Sequence, residues 1–242
     1  RNIVQGTGGR VNCLQQRGEY MFVAEGKGGF RVYDVASVGN KGFSERIVRA
    51  PFSPLGHDTH VTTTNATCMA IGTNQPISMA RNDDIRKNFP ENHEQAMHPL
   101  YRYAVVTASV EGLILVDIDT LADGEFRNNK LSRALTWNPD NALAGARHVT
   151  LAGDYAYIAT DAGLVVVDLS NPLEPKLTAQ LPLRDARASA VQFRYLWVTD
   201  ADGVSLFDIT NMAQPVPVPE GTVRLADARK IYLARTYMYV AA

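Results

Sequence analysis

The chain has 242 residues, 45% of them hydrophobic and 20% charged, with 24 basic against 25 acidic side chains and a formal charge of −1. That balance gives no overall pull toward nucleic acid or anionic lipid, and no local basic run makes up for it. No stretch approaches roughly eighteen consecutive apolar residues, which excludes a membrane-spanning helix, and the N-terminus has none of the segments of a secretory signal.

The chain begins at Arg1 rather than Met and therefore reads as processed or excised from something longer. A first unit covers approximately 10–56. Arg10 opens the run VNCLQQRGEYMFVAE, and Gly29-Phe-Arg-Val-Tyr-Asp34 follows it. Cys13 lies in this unit and Cys68 in the next. Two cysteines are too few for a disulfide scaffold and form no CxxC pair. Both sit in apolar, strand-like sequence and read as buried, inert thiols; a single bridge between them is the alternative in an oxidising compartment.

A second unit covers approximately 57–140. Aligning Thr59-His-Val-Thr62 with Arg147-His-Val-Thr150 places its first strand near residue 59, yet Gly112-Leu-Ile-Leu-Val-Asp117 arrives late. The surplus is roughly 30 polar residues, mostly 73–100, and an insertion of that size between two strands has to run over the surface. It has room for a turn or two of helix. Four of the five histidines, His57, His60, His93 and His98, fall in this unit. Together with Asp58 they could offer nitrogen and oxygen ligands to zinc, copper or iron, although their spacing matches no recognised metal motif. The plainer reading is hydrogen-bonded surface histidines.

The third and fourth units, 146–186 and 187–228, are regular, and a fifth, 229–242, covers RKIYLARTYMYVAA. Arg147, Arg187 and Arg229 are spaced 40 and 42 residues apart, and Tyr157, Trp197 and Tyr239 each come ten residues after the arginine. The pattern Gly-x-x-x-x-Asp recurs at 29–34, 112–117, 163–168 and 203–208. Turn residues separate the runs, and the runs are apolar on both alternating faces, so each sheet has to be covered on both sides. Small four-stranded antiparallel sheets packed face to face meet that demand, and a repeat of about 41 residues fits one such sheet. The fold class is all-β, a β-propeller with four full blades and a partial fifth. It reads as part of a larger propeller of about six or more blades.

The segment ARHVTLAGDYAYIATDAGLVVVDLSNPLEPKLTAQLPLRDA at 146–186 resembles the repeat of LVIVD-repeat proteins: an arginine-led strand, a Gly-Asp-Tyr-Ala-Tyr strand, a Gly-Leu-x-Val-x-Asp strand, then Ser-Asn-Pro-x-x-Pro. The resemblance is close over 146–240 and looser over 10–50 and 59–135. It implies a β-propeller in bacterial or archaeal proteins that are exported or surface-located, often as one module of a larger polypeptide. It brings no catalytic residues with it. The sequence has no Gly-His…Trp-Asp pairs, kelch double glycine, Asp-box or tryptophan-docking repeat of other propeller families.

Arg10, Arg147, Arg187 and Arg229 each precede the first strand of a unit, and equivalent positions in a propeller converge at one mouth of its channel. Such a cluster could bind a carboxylate or phosphate. Asp185 and Asp227, two residues before Arg187 and Arg229, offer the alternative of internal ion pairs. Asp34, Asp117, Asp168 and Asp208 read as turn formers, because a turn recurs in every unit whereas an active site is built once. The leading expectation is a non-enzymatic binding or scaffold module of an exported, periplasmic or cell-surface protein. Its partners would be other domains of the same polypeptide or another protein, with no nucleic acid and no membrane span. The alternatives are an enzyme or redox-partner domain with an anion or metal site at the arginine-lined mouth, and a subunit that self-assembles.

Overall fold

A computed structural model describes residues 9–35, 58–73, 79–92, 95–124 and 128–242. The chain forms two compact units, one of residues up to Val106 with Leu115–Leu135, the other of Thr107–Ile114 with Thr136–Ala242. In the first unit β1 (Cys13–Arg17), β2 (Tyr20–Ala24), β3 (Phe30–Asp34) and β4 (His60–Val61) form one antiparallel sheet in that order. A second sheet, whose strands are divided between the two units, has the order β5 (Ala66–Ile71), β6 (Tyr103–Ala108), β7 (Gly112–Asp117) and β8 (Ser132–Trp137). His60 and Val61 thus pair with Arg31 and Phe30 as the outer strand of the first sheet, and the second sheet opens at Ala66 rather than near residue 59. A four-residue likeness to Arg147–Thr150 could not decide which neighbour a two-residue strand would pair with.

The second unit holds β9 (His148–Ala152), β10 (Tyr155–Thr160), β11 (Gly163–Asp168) and β12 (Lys176–Pro182) as a four-stranded sheet. Next come β13 (Ala188–Gln192), β14 (Tyr195–Thr199) and β15 (Gly203–Asp208), whose outer edge is shared by β16 (Val216–Pro217) and β17 (Val223–Arg224). A two-stranded sheet, β18 (Lys230–Ala234) and β19 (Tyr237–Ala241), is the partial fifth.

The strands form where the repeat demands them. Along β10 and β11 the alternating side chains are apolar on both faces, and the residues from Ala156 to Thr160 and from Gly163 to Val167 are buried. Tyr157, Ala159, Leu164 and Val166 pack on Leu196, Val198, Phe207 and Ile209 of the next sheet in one continuous core. A large apolar side chain taken fully out of water contributes about 1.5–3 kcal/mol, so this inter-sheet layer is a main source of stability.

Both ends of Gly-x-x-x-x-Asp answer local needs. Gly163 and Gly203 take φ of +127° and +140°, and a Cβ at either would fall on the carbonyl oxygen of the outer strand, at Leu181 or Val223. Only glycine lets the third strand start that close to the fourth. At the other end Asp168 Oδ1 accepts from the backbone N and the hydroxyl of Ser170 at 2.8 and 2.5 Å, and Asp208 does the same with Thr210 at 2.8 and 2.6 Å. Hydrogen bonds from Ser170 hold the Asp168 carboxyl below its usual range. The repeated aspartates Asp117, Asp168 and Asp208 bond the backbone two residues on, as turn formers do.

The insertion runs between β5 and β6 and carries α1 (Met79–Asn88), longer than the turn or two expected. Its sequence is predominantly polar, and only Asn82 is buried. That residue ties the helix to the return segment, donating to Gln95 O at 3.3 Å and accepting from Met97 N at 2.9 Å.

Candidate functional site

The first strands of the second unit share one leading turn. Its sequence is Gly145-Ala-Arg147, Asp185-Ala-Arg187 and Asp227-Ala-Arg229. Gly145, Asp185 and Asp227 have φ of +68°, +58° and +59°, left-handed backbone that glycine adopts freely and aspartate tolerates better than most residues. The alanine is fully buried in all three. The arginine N–H then bonds the second strand, to Ala159 O at 2.9 Å, Thr199 O at 2.8 Å and Ala241 O at 2.7 Å.

This turn aims each guanidinium along the row of first strands. Arg187 Nε donates to Asp185 Oδ2 at 2.7 Å within its own turn, while its Nη1 donates to Asp227 Oδ1 of the next turn at 2.9 Å. Arg147 reaches forward in the same way, Nη1 to Asp185 Oδ1 at 2.5 Å. Arg229 holds Asp227 through Nε at 2.8 Å and Nη2 at 2.6 Å. Gly145 lacks the carboxylate of the other two turns, and Asp161 from the β10–β11 turn supplies it: it pairs with Arg147, and a Cβ on Gly145 would collide with its carboxylate. Arginines and aspartates therefore alternate as a ladder from β9 past β13 to β18.

The ladder balances three guanidinium groups against three carboxylates. At Asp185 burial pushes the carboxyl up, but hydrogen bonds and charge from Arg187 and Arg147 outweigh it and hold the group low. Asp227 is lowered chiefly by its hydrogen bond from Arg229, and Arg187 is raised chiefly by its bond to Asp185. An anion entering here would have to displace Asp185 or Asp227 from bidentate partners. The fourth predicted arginine, Arg10, lies exposed in the first unit ahead of β1.

Beside the ladder lies a neutral polar cluster. His148 on β9 accepts the backbone N–H of Ser189 on Nδ1 at 3.2 Å, Thr150 Oγ1 donates to Ser189 O at 2.9 Å, and Ser189 Oγ donates to Thr150 Oγ1 at 2.9 Å. Burial first, and then Lys230, pushes the His148 imidazole down to about 3. Burial lowers Lys230 as well. His148, Ala188 and Lys230 occupy one repeat position, the residue after the arginine. His148 is the histidine outside the clustered four, and its position after Arg147 was the available signal.

Of the other four, His57 and His93 lie outside the described residues. His60 Nε2 sits 2.8 Å from Gly28 O, and His98 Nδ1 accepts from Leu100 N at 3.1 Å at the head of a short 3-10 helix. Among the described residues no group of three or more His, Cys, Asp and Glu is arranged to hold a metal ion. His98 also helps line a groove of about 700 Å³ with Gln95, Met97 and Tyr101, on the return segment of the insertion. The cysteines expected as inert thiols are joined instead: Cys13 of β1 and Cys68 of β5 form a disulfide with Cα atoms 4.8 Å apart. The two strands run side by side, and Ile71 N donates to Gln15 Oε1 at 3.1 Å across the same joint.

The family model of the LVIVD repeat matches residues 145–181, which include Gly145, Arg147 and Asp161 of the ladder. Among curated proteins no match is found. Among solved structures the chain is similar to the periplasmic gluconolactonase of Pseudomonas aeruginosa, with a TM-score of 0.59 and 14% identity over 97% of this chain and 57% of that one. It is similar to a functionally unknown protein from Desulfotomaculum acetoxidans, with a TM-score of 0.55 and 12% identity over 86% of this chain and 55% of that one. It is also similar to the extracellular domain of a hybrid two component system of B. thetaiotaomicron, with a TM-score of 0.55 and 15% identity over 96% of this chain and 26% of that one. The chain spans about half the length of the first two. At these identities the likeness establishes the fold, a β-propeller.

Proposed function

Taking the chain as a β-propeller protein that carries the LVIVD repeat, we propose that it is a non-enzymatic binding or scaffold module of an exported or cell-surface prokaryotic protein. One observation carries this reading: the arginines that lead the sheets of the second unit are engaged with aspartates, and Arg147 and Arg187 hold sheet to sheet. Arg147, Arg187 and Arg229 each bind aspartate carboxylates, so the repeated charges are structural. Recognition then falls to what is not repeated, above all the insertion, whose polar helix and groove by His98 and Tyr101 stand out from the sheets. The partner is another domain of the same polypeptide or a separate protein.

Two observations support a place outside the cytoplasm. The Cys13–Cys68 bridge is of a kind that persists in oxidising compartments. Two structural neighbours are described as periplasmic and extracellular.

A thermal-shift screen of small carboxylates, phosphate and divalent metals tests the reading, because a ligand bound only by the folded state raises the melting temperature. The module is expected to show no saturable shift with any of them. A saturable shift with a carboxylate or phosphate that disappears in Arg187→Gln would instead make the ladder a ligand site and overturn the proposal.

A further inference from the structure

The β18–β19 hairpin alternates along β19 and through Leu233 of β18. Ile231, Leu233, Met238 and Val240 are half-buried, whereas Tyr232, Tyr237 and Tyr239 on the other face are 68%, 68% and 58% exposed. Their rings cluster, with centroids 6.4 Å apart for Tyr232 and Tyr239 and 6.4 Å for Tyr237 and Tyr239. An aromatic patch of this kind marks an interaction surface.

The chain's own repeats indicate what such a face meets. Tyr239 follows Arg229 by ten residues, as Tyr157 follows Arg147. Tyr157 is fully buried against Leu196, Val198, Phe207 and Ile209 of the sheet after its own, and its phenol donates to Met212 O of that sheet at 2.9 Å. The charges continue the same way. Arg147 and Arg187 each give Nη1 to the aspartate that leads the following sheet. Arg229 binds its own Asp227 through Nε and Nη2, and its side chain is 68% exposed. The tyrosine face and the outer edge of Arg229 therefore extend an interface that the second unit already builds between successive sheets.

We propose that this face is a docking surface for one further antiparallel sheet of the same repeat chemistry. The incoming sheet carries aliphatic side chains at the places of Leu196, Val198 and Ile209 and an aspartate at the place of Asp185. This rests on the scaffold reading and names the chemistry of one partner. Tyr239 then takes the part of Tyr157, its ring covered and its phenol donating to a carbonyl of the incoming sheet. Arg229 Nη1 takes the incoming aspartate.

The test uses the full chain extended past Ala242 by a copy of residues 201–242 and then one of residues 201–224, so that the incoming sheet also has its third and outer strands and the place of Ile209. Ala242 occupies the repeat position of Asp200, so the added residues continue in register and bring a second Asp-Ala-Arg turn. Nitration of Tyr237 and Tyr239 in the original copy, read by mass spectrometry on a peptide that differs between copies, is expected to slow at least about tenfold, as for groups reached only through local opening. Asp227→Ala in the added copy alone is expected to return part of that reactivity. Unchanged nitration overturns the proposal, as does an extension that adds no strand signal in circular dichroism, because the added sheet needs this face to fold against. In the unextended chain, Tyr239 nitration that falls over a hundredfold rise in concentration would make a second copy the occupant and would also overturn it. The ligand screen reads the ladder alone, so its outcome is independent of this one.

Discussion

Neighbouring first strands are joined by different chemistry in the two units. In the first, β1 and β5 are linked covalently through Cys13 and Cys68 and share the Gln15–Ile71 hydrogen bond. In the second, β9, β13 and β18 are linked by Arg147, Asp185, Arg187 and Asp227, reinforced by Thr150 and Ser189. The same structural need is met once by a bond that answers to redox conditions and twice by ion pairs that answer to pH and salt. Arginine is used in opposite ways as well. Arg17 of β1 is 2% exposed, stacks over the Phe22 ring at 5.3 Å and is lowered to about 10 by burial, which leaves it a cation at neutral pH. The ladder arginines are half-exposed or exposed and face carboxylates.

The contrast can be broken from either side. The largest effect is expected from reduction. The Cys13–Cys68 bridge spans a sequence separation of 55, and opening a loop of that size costs about 4 kcal/mol by chain-entropy reasoning. Denaturant unfolding with and without reductant is expected to show a loss of that order.

Next comes the response to mild acid. His148 is lowered to about 3 in the folded protein against about 6.5 unfolded, so below pH 6.5 the unfolded chain binds a proton that the folded one does not. Stability therefore falls as pH drops from 6.5 toward 3, by about 2 kcal/mol at pH 5. His148→Gln is expected to flatten that part of the pH–stability curve; an unchanged slope would show that His148 is not the group responsible.

Arg187→Met is expected to cost about 1 kcal/mol at low salt, with the difference narrowing at high salt as the remaining pairs are screened. Asp185 and Asp227 are held low in the folded state, so their contribution is complete above the unfolded value of about 3.9 and is lost as pH falls through the folded range. The smallest effect belongs to Arg229→Ala, within about 0.5 kcal/mol by thermal melts, because the side chain is largely exposed and, among the described residues, pairs with the aspartate of its own turn alone.

How much could be read from sequence depended on how local each demand was. Gly163-Leu-Val-Val-Val-Asp168 was legible because a close strand approach fixes its glycine and a two-residue turn its aspartate. The arginine period was equally plain, and Asp185 and Asp227 hinted at their pairing. Asp161 gave no such hint, because it reaches Arg147 only once the β10–β11 turn folds over Gly145. The disulfide depends on β5 lying beside β1, and hence on His60–Val61 joining the first sheet, a pairing set by tertiary packing. His148 escaped notice because a count of clustered histidines favours the window around the insertion. Its repeat position, shared with Lys230, marks it instead.

The most direct measurement is native-state hydrogen exchange on β1, β5, β9 and β13 under three conditions: neutral pH at low salt, the same with reductant, and the same at high salt. Reductant is expected to speed exchange in β1 and β5, and high salt to speed it at the edges of β9 and β13 near Arg147 and Arg187. Equal acceleration of all four strands by either agent, or no response of β9 and β13 to salt, would contradict the division of labour between the covalent joint and the ionic ladder.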